Sequence, residues 1–179
     1  MDLDGVLADF EDGFFHAWQS RHPHLHAIEP TMRRSSRLLD DYPPALASTV
    51  RSVYTEPGFF LGLPSIPGAI RGFKLLAEAF PDTWICSAPL TEYEHCVGEK
   101  YRWVETFLGR PFTERIILTR NKSVIDADVL IDDSPEPIGW RTARWQQLLF
   151  DAPYNRDVRD RRRVTWDSWS SVMETIIPR

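Results

Sequence analysis

Cysteine is scarce in this chain of 179 residues: Cys86 and Cys96 are the only two. Two thiols exclude a disulfide framework, and their spacing fits no zinc site. Cys86 lies in an apolar run and reads as a reduced core residue. No apolar run approaches the ~20 residues that span a bilayer. The opening residues show neither the basic nor the apolar region of a signal peptide, so a cytoplasmic address is expected. Basic excess is lacking too. With a net charge of −5, neither a nucleic-acid polymer nor an anionic membrane is an expected partner. The one basic run, Arg161 to Arg163, sits beside Asp157 and Asp160 and reads as solvated surface. Internal repeats and low-complexity segments are absent.

What remains is ordinary globular composition, 42% apolar and 26% charged. A chain of this length buries roughly 70% of its unfolded surface, enough for one domain with a small insertion. From residue 82 onward, short apolar runs alternate with helix-like ones. "TWICSA" (83–88), "RIILT" (115–119), "DVLIDD" (128–133) and "QLLFD" (147–151) suit strands buried on both faces of a parallel sheet. Between the first two, Thr91 and Glu94 have capping-box spacing, Tyr101, Val104 and Leu108 share a helical face, and Gly109 follows as a stop. Residues 67–80 place Ile70, Phe73, Leu76, Ala77 and Phe80 on one helical face, and "WDSWSSVMETII" (166–177) reads as a closing helix. The pattern predicts an α/β fold with a mostly parallel sheet. Residues 13–63, rich in His, Pro and Arg, break the alternation and read as a small helical cap inserted after the first strand. The cap histidines have no metal-site spacing and read as surface residues.

The polar endings of the β-like runs carry the chemistry. Asp2 and Asp4 stand in "DLDG", Ser87 ends "TWICS", Lys122 follows "ILTRN", and Asp132 and Asp133 end "VLIDD". Right-handed crossovers bring strand C-termini to one edge, so these groups are expected to converge. Crowded carboxylates raise one another's pKa unless a cation neutralises them, and Mg²⁺ with oxygen ligands is the natural remedy. Asp2 could then attack phosphorus. Asp4, on the same side of a strand-like segment, could serve as general acid and later as base. Ser87 and a neighbouring backbone N–H could hold phosphate oxygens, and Lys122 could neutralise charge on the transferring group.

"DLDGVLADF" resembles the first motif of the haloacid-dehalogenase superfamily, and "ICSAP", Lys122 and "LIDD" follow in the order of its other three motifs. Within that superfamily, "EKYRWVETFLG", "ILTRNKS", "VLIDDSP" and "RRRVTWDSW" resemble the 5′(3′)-deoxyribonucleotidase family. The resemblance implies a Rossmannoid three-layer sandwich with core 1–12 and 64–179 and cap 13–63. It implies a phosphatase acting on nucleoside monophosphates through an aspartyl-phosphate, with Asp2 as nucleophile and Asp4 as acid/base. Mg²⁺ would be bound by Asp2, the Asp4 carbonyl and Asp133, with Asp132 in support. The phosphate site would comprise Ser87, Ala88, Lys122 and Lys100, and Phe10 and Tyr54 would face the nucleoside. The expected partner is a small phosphomonoester, and a homodimer is allowed.

The chain departs from the family pattern at three places. Ala88 stands where a second hydroxyl is common, "RRSSRLLDDY" carries no aromatic before Tyr42, and only Met1 precedes Asp2. Met1 to Asp4 is expected to pair as a short strand nonetheless. Other readings stay open on pattern alone. Lys100, beside Glu99 and near Glu105, equally suits an exposed helix face; Phe10 equally suits the core, and Tyr54 suits the core better. The same chemistry on another small phosphomonoester, and a phosphate-binding relative with little turnover, are the competing functions.

Overall fold

The protein is described from a computed structural model covering residues 1–136 and 139–176. Helix α1 (Phe10–Arg21) begins where the Asp9 side chain accepts the Asp12 N–H at 3.0 Å, and it buries Phe14 and Trp18. Helix α2 (Ala47–Tyr54) buries Val50, Val53 and Tyr54 on one face. Between them lie only short 3₁₀ turns, at Pro30–Met32, Leu38–Asp41 and Pro44–Leu46. Helix α3 (Ala69–Ala79) follows Gly68 and buries Phe73 and Leu76, as its periodicity predicts.

Helix α4 (Tyr93–Phe107) departs from expectation at its start and on its faces. Its N-cap is Glu92, with no side-chain cap, while the Thr91 hydroxyl instead accepts a hydrogen bond from Arg120 at 2.7 Å. Tyr101 is exposed, and Trp103 fills the core beside Val104. Lys100, read as equally suited to an exposed helix face, is buried, and so is its neighbour Glu99. Helix α5 (Trp169–Glu174) is shorter than the closing helix expected, and Ile177 lies outside the described residues.

Among the described residues, every strand pair is parallel. β1 (Ile85–Ser87) pairs with β2 (Ile116–Leu118), and β3 (Val129–Asp132) pairs with β4 (Gln146–Phe150). The four apolar runs are thus strands at nearly the expected positions. β5 (Arg162–Val164) joins the edge of β4, with Leu148 opposite Arg162. The arginine run is therefore a strand as well as surface: Arg163 turns back to Asp151, Asn155 and the Val158 carbonyl.

The two strand groups meet through the chain's first residues. The Asp2 N–H donates to the Ile131 carbonyl at 2.8 Å, and the Met1 carbonyl accepts the Cys86 N–H at 2.7 Å. The order across this seam is β2, β1, residues 1–2, β3, β4, β5. Pairing ends there, contrary to a strand through Asp4. The Leu3 N–H donates to the Asp2 carboxylate at 2.8 Å, and the Leu3 carbonyl accepts three N–H groups of a tight turn. The architecture is the parallel α/β, Rossmann-like one expected. No described helix is long and apolar enough to cross a membrane.

Candidate active site

Ser87 and Asp132 end β1 and β3 at one edge of the sheet, Lys122 opens the turn after β2, and Asp2 emerges at the seam between them. The convergence expected from strand polarity is present. Carboxylate oxygens of Asp2, Asp132 and Asp133 lie within 4.8 Å of one another. Lys122 donates to Asp2 at 2.5 Å and to Asp132 at 2.6 Å. The other Asp132 oxygen accepts the Ser134 N–H at 2.9 Å, and Trp145 holds the Lys122 carbonyl at 3.1 Å. Behind them, Lys100 pairs with Asp4 and also reaches the Ser87 hydroxyl at 2.8 Å and the Ala88 carbonyl at 3.0 Å. Among the described residues, one oxygen of Asp4 is buried with no partner. A cavity of about 590 Å³ lies at the opposite ends of the strands, and none of these carboxylates lines it.

The charge balance decides what the triad can hold. Burial alone would lower the Lys122 ammonium, but Asp2 and Asp132 outweigh it and hold the pKa above the ordinary lysine value. Burial, then Asp2, pushes Asp132 up to about 6 against the pull of Lys122. Burial, then Asp132 and Asp2, raises Asp133 well above the carboxylate range. Lys122 meets two of the three carboxylates and Asp133 meets the Tyr154 hydroxyl, so with all three ionised two negative charges stay uncompensated, the complement of a divalent cation. The donors are all hard oxygens, which suits Mg²⁺ and excludes soft-metal selectivity. Gly5 makes the close approach feasible. Its φ is +75°, and a Cβ there would lie 2.7 Å from the Asp133 carboxyl carbon.

Across residues 1–179 the chain matches the family described as 5′ nucleotidase, deoxy (pyrimidine), cytosolic type C protein. The chain belongs to that family. A Bordetella pertussis protein provisionally named a 5′(3′)-deoxyribonucleotidase is 46% identical over 173 residues, 97% of this chain and 93% of that one. The human cytosolic-type 5′(3′)-deoxyribonucleotidase is 43% identical over 186 residues, 98% of this chain and 92% of that one. The human mitochondrial 5′(3′)-deoxyribonucleotidase is 37% identical over 188 residues, 99% and 82% of the two chains. Membership makes the chain a phosphoric monoester hydrolase.

In this deoxyribonucleotidase-family chain, Phe10 and Tyr54 lie together, ring centroids 6.2 Å apart. Phe59 and Phe60 complete the cluster at 5.5 and 6.3 Å from Phe10, and Phe60 lies 5.0 Å from the Lys100 ammonium. Neither Phe59 nor Phe60 was singled out by the sequence reading, although "PGFF" marks a turn with two adjacent aromatics. Tyr154 was missed as well. Its hydroxyl donates to Asp133, while Asn155 holds the Asp133 carbonyl at 2.8 Å. Both follow the carboxyl end of β4, the same position along a strand that marks Ser87 and Asp132. Arg33 lies over the Tyr154 ring at 5.7 Å and is paired with Glu11 and Asp41. Burial disfavours that arginine's charge, yet the two carboxylates raise its pKa. No local pattern marks it, because its partners are 22 and 8 residues away.

Proposed function

We propose that the protein hydrolyses (deoxy)ribonucleoside 5′(3′)-monophosphates, with Mg²⁺, through an aspartyl-phosphate on Asp2. The observation that carries the reading is the meeting of Asp2, Asp132 and Asp133 around Lys122, beside the Asp4–Lys100–Ser87 group. The relatives' names support the substrate class, and the cytosolic-type human relative supports a cytoplasmic address.

Asp2, the Asp4 main-chain carbonyl and Asp133 would hold Mg²⁺, with Asp132 in support. The ion, when bound, supplies positive charge against the phosphoryl oxygens. In the first half-reaction an Asp2 oxygen forms a bond to phosphorus as the ester P–O bond breaks. Asp4 gives its proton to the departing nucleoside oxygen. In the second, Asp4 takes a proton from water as that water attacks phosphorus, and the bond from Asp2 to phosphorus breaks, restoring the free carboxylate. The unpartnered Asp4 oxygen supports this role, since it is the atom of that side chain free to carry a proton. Lys122 stays charged at the site, and Ser87 and Lys100 orient phosphate oxygens. The cluster of Phe10, Tyr54, Phe59 and Phe60 supports stacking of the nucleoside.

Phosphate release from a panel of nucleoside monophosphates and sugar phosphates, with and without Mg²⁺, tests the reading. Asp2→Asn is expected to cut turnover by about 10³-fold or more while leaving the fold intact by circular dichroism. Full activity in that variant, or a preference for sugar phosphates, would overturn the assignment.

A further inference from the structure

Two consecutive residues of α4 are buried charges facing different tasks. Lys100 reaches Asp4 and Ser87; Glu99, only 6% exposed, turns toward the segment that returns from the helical region to α3. One Glu99 oxygen accepts the Gly58 N–H at 2.6 Å, and the other accepts those of Phe60 at 3.0 Å and Leu61 at 3.4 Å. Glu99 has no cationic partner among the described residues. Its charge is met by main-chain dipoles alone, in a concave turn that takes an anion. Gly58 sits at φ +90° within that turn, a conformation other residues adopt only under strain. Four residues along α4, Trp103 donates to the Leu63 carbonyl at 2.8 Å. One helix face therefore grips residues 58–63 by their backbone.

The gripped turn presents Phe59 and Phe60 to Phe10, and Phe60 to Lys100. We propose that Glu99 is a positioning residue for nucleoside recognition: by fixing the turn at Gly58 to Leu61, it sets where Phe60 stands relative to Phe10 and Lys100. Glu99 therefore governs how far the site favours a nucleoside monophosphate over a phosphomonoester with no base. The inference rests on the phosphatase reading above and adds to it a residue that touches no substrate.

The test compares thymidine 5′-monophosphate with glycerol 2-phosphate in the full-length, Mg²⁺-supplied protein. Glu99→Gln keeps volume but turns one acceptor into a donor facing N–H groups. The ratio of kcat/KM for the nucleotide to that for glycerol 2-phosphate is expected to fall about tenfold, carried mainly by KM for the nucleotide. Phe60→Leu is expected to lower the same ratio, and the double variant to lose little beyond the worse single one. Equal losses on both substrates, or additive effects in the double variant, would overturn the inference alone. A wild-type protein that hydrolyses neither substrate would overturn the phosphatase reading and this inference with it. Should Glu99→Gln fail to fold, Phe60→Leu with an unchanged ratio would still refute it.

Discussion

Replacing Gly5 with alanine tests whether the carboxylate triad is built for a cation. Two separate penalties attach to the added methyl group. The backbone at φ +75° costs an L-residue roughly 1–2 kcal/mol. The methyl carbon would also lie 2.7 Å from the Asp133 carboxyl carbon and from one of its oxygens, where ordinary contact begins at 3.4 Å. Asp133 must retreat by about 0.7 Å, and misplacements on the order of 1 Å cost a catalytic site about 10²-fold. The backbone penalty alone lowers Tm by about 2–8 °C at this chain length. In Gly5→Ala, thermal unfolding with and without Mg²⁺ should show both the lower Tm and a smaller rise on adding the ion. Phosphate release should fall about 10²-fold. A variant whose Mg²⁺-induced rise and turnover both match the wild type would refute the assignment of Asp133 as a ligand and of Gly5 as the space for it.

The pH dependence of metal stabilisation has a definite sign. Folding raises Asp132 from the usual 3.8 to about 6, and raises Asp133 as well, through burial and facing carboxylates. The folded state then holds more protons than the unfolded chain in that window. These groups therefore withdraw stability as pH rises from 3.8 through about 6, by about 3 kcal/mol for Asp132. A cation relieves that cost only where the carboxylates are charged. The Mg²⁺-induced rise in Tm should exceed its value near pH 5 by about 5 °C or more near pH 7.5, and an equal rise at both would count against the triad as the site. Tyr154→Phe leaves the Asp133 oxygen without its hydroxyl donor, so calorimetry should show Mg²⁺ binding weakened about 10- to 100-fold. Unaltered affinity would make Tyr154 a packing residue only.

Much of this arrangement was legible from the one-dimensional pattern. Continuous apolar runs located β1 to β4, since strands covered on both faces carry few polar residues; β1 is buried throughout, whereas β2, expected to be covered on both faces, is only half-buried. Strand polarity then placed Asp2, Ser87, Lys122, Asp132 and Asp133 at one edge. β5 escaped because Arg162 and Arg163 look like solvent-facing charge, while Arg163 is held by Asp151 and Asn155. Thr91 failed as a cap because Arg120, 29 residues on, takes its hydroxyl. Glu99 and Lys100 resembled an exposed helix face for the same reason. Their partners, 41 and 96 residues away, are brought to them only by folding. The seam at Met1 and Asp2 was half legible: the pairing was expected, but the turn that ends it at Leu3 arises from the Asp2 side chain capturing the next amide.

That seam ties mechanical integrity to reactivity. β1 and β3 are not neighbours; the main chain of two residues bridges them, and the second bears the carboxylate assigned to attack phosphorus. Parting at the Asp2–Ile131 bond carries Asp2 away from Asp132, and parting at the Met1–Cys86 bond carries it away from β1 and the Lys122 turn that follows β2. Slow hydrogen exchange at the Asp2 and Cys86 amides is thus a direct gauge of how often the enzyme stands ready.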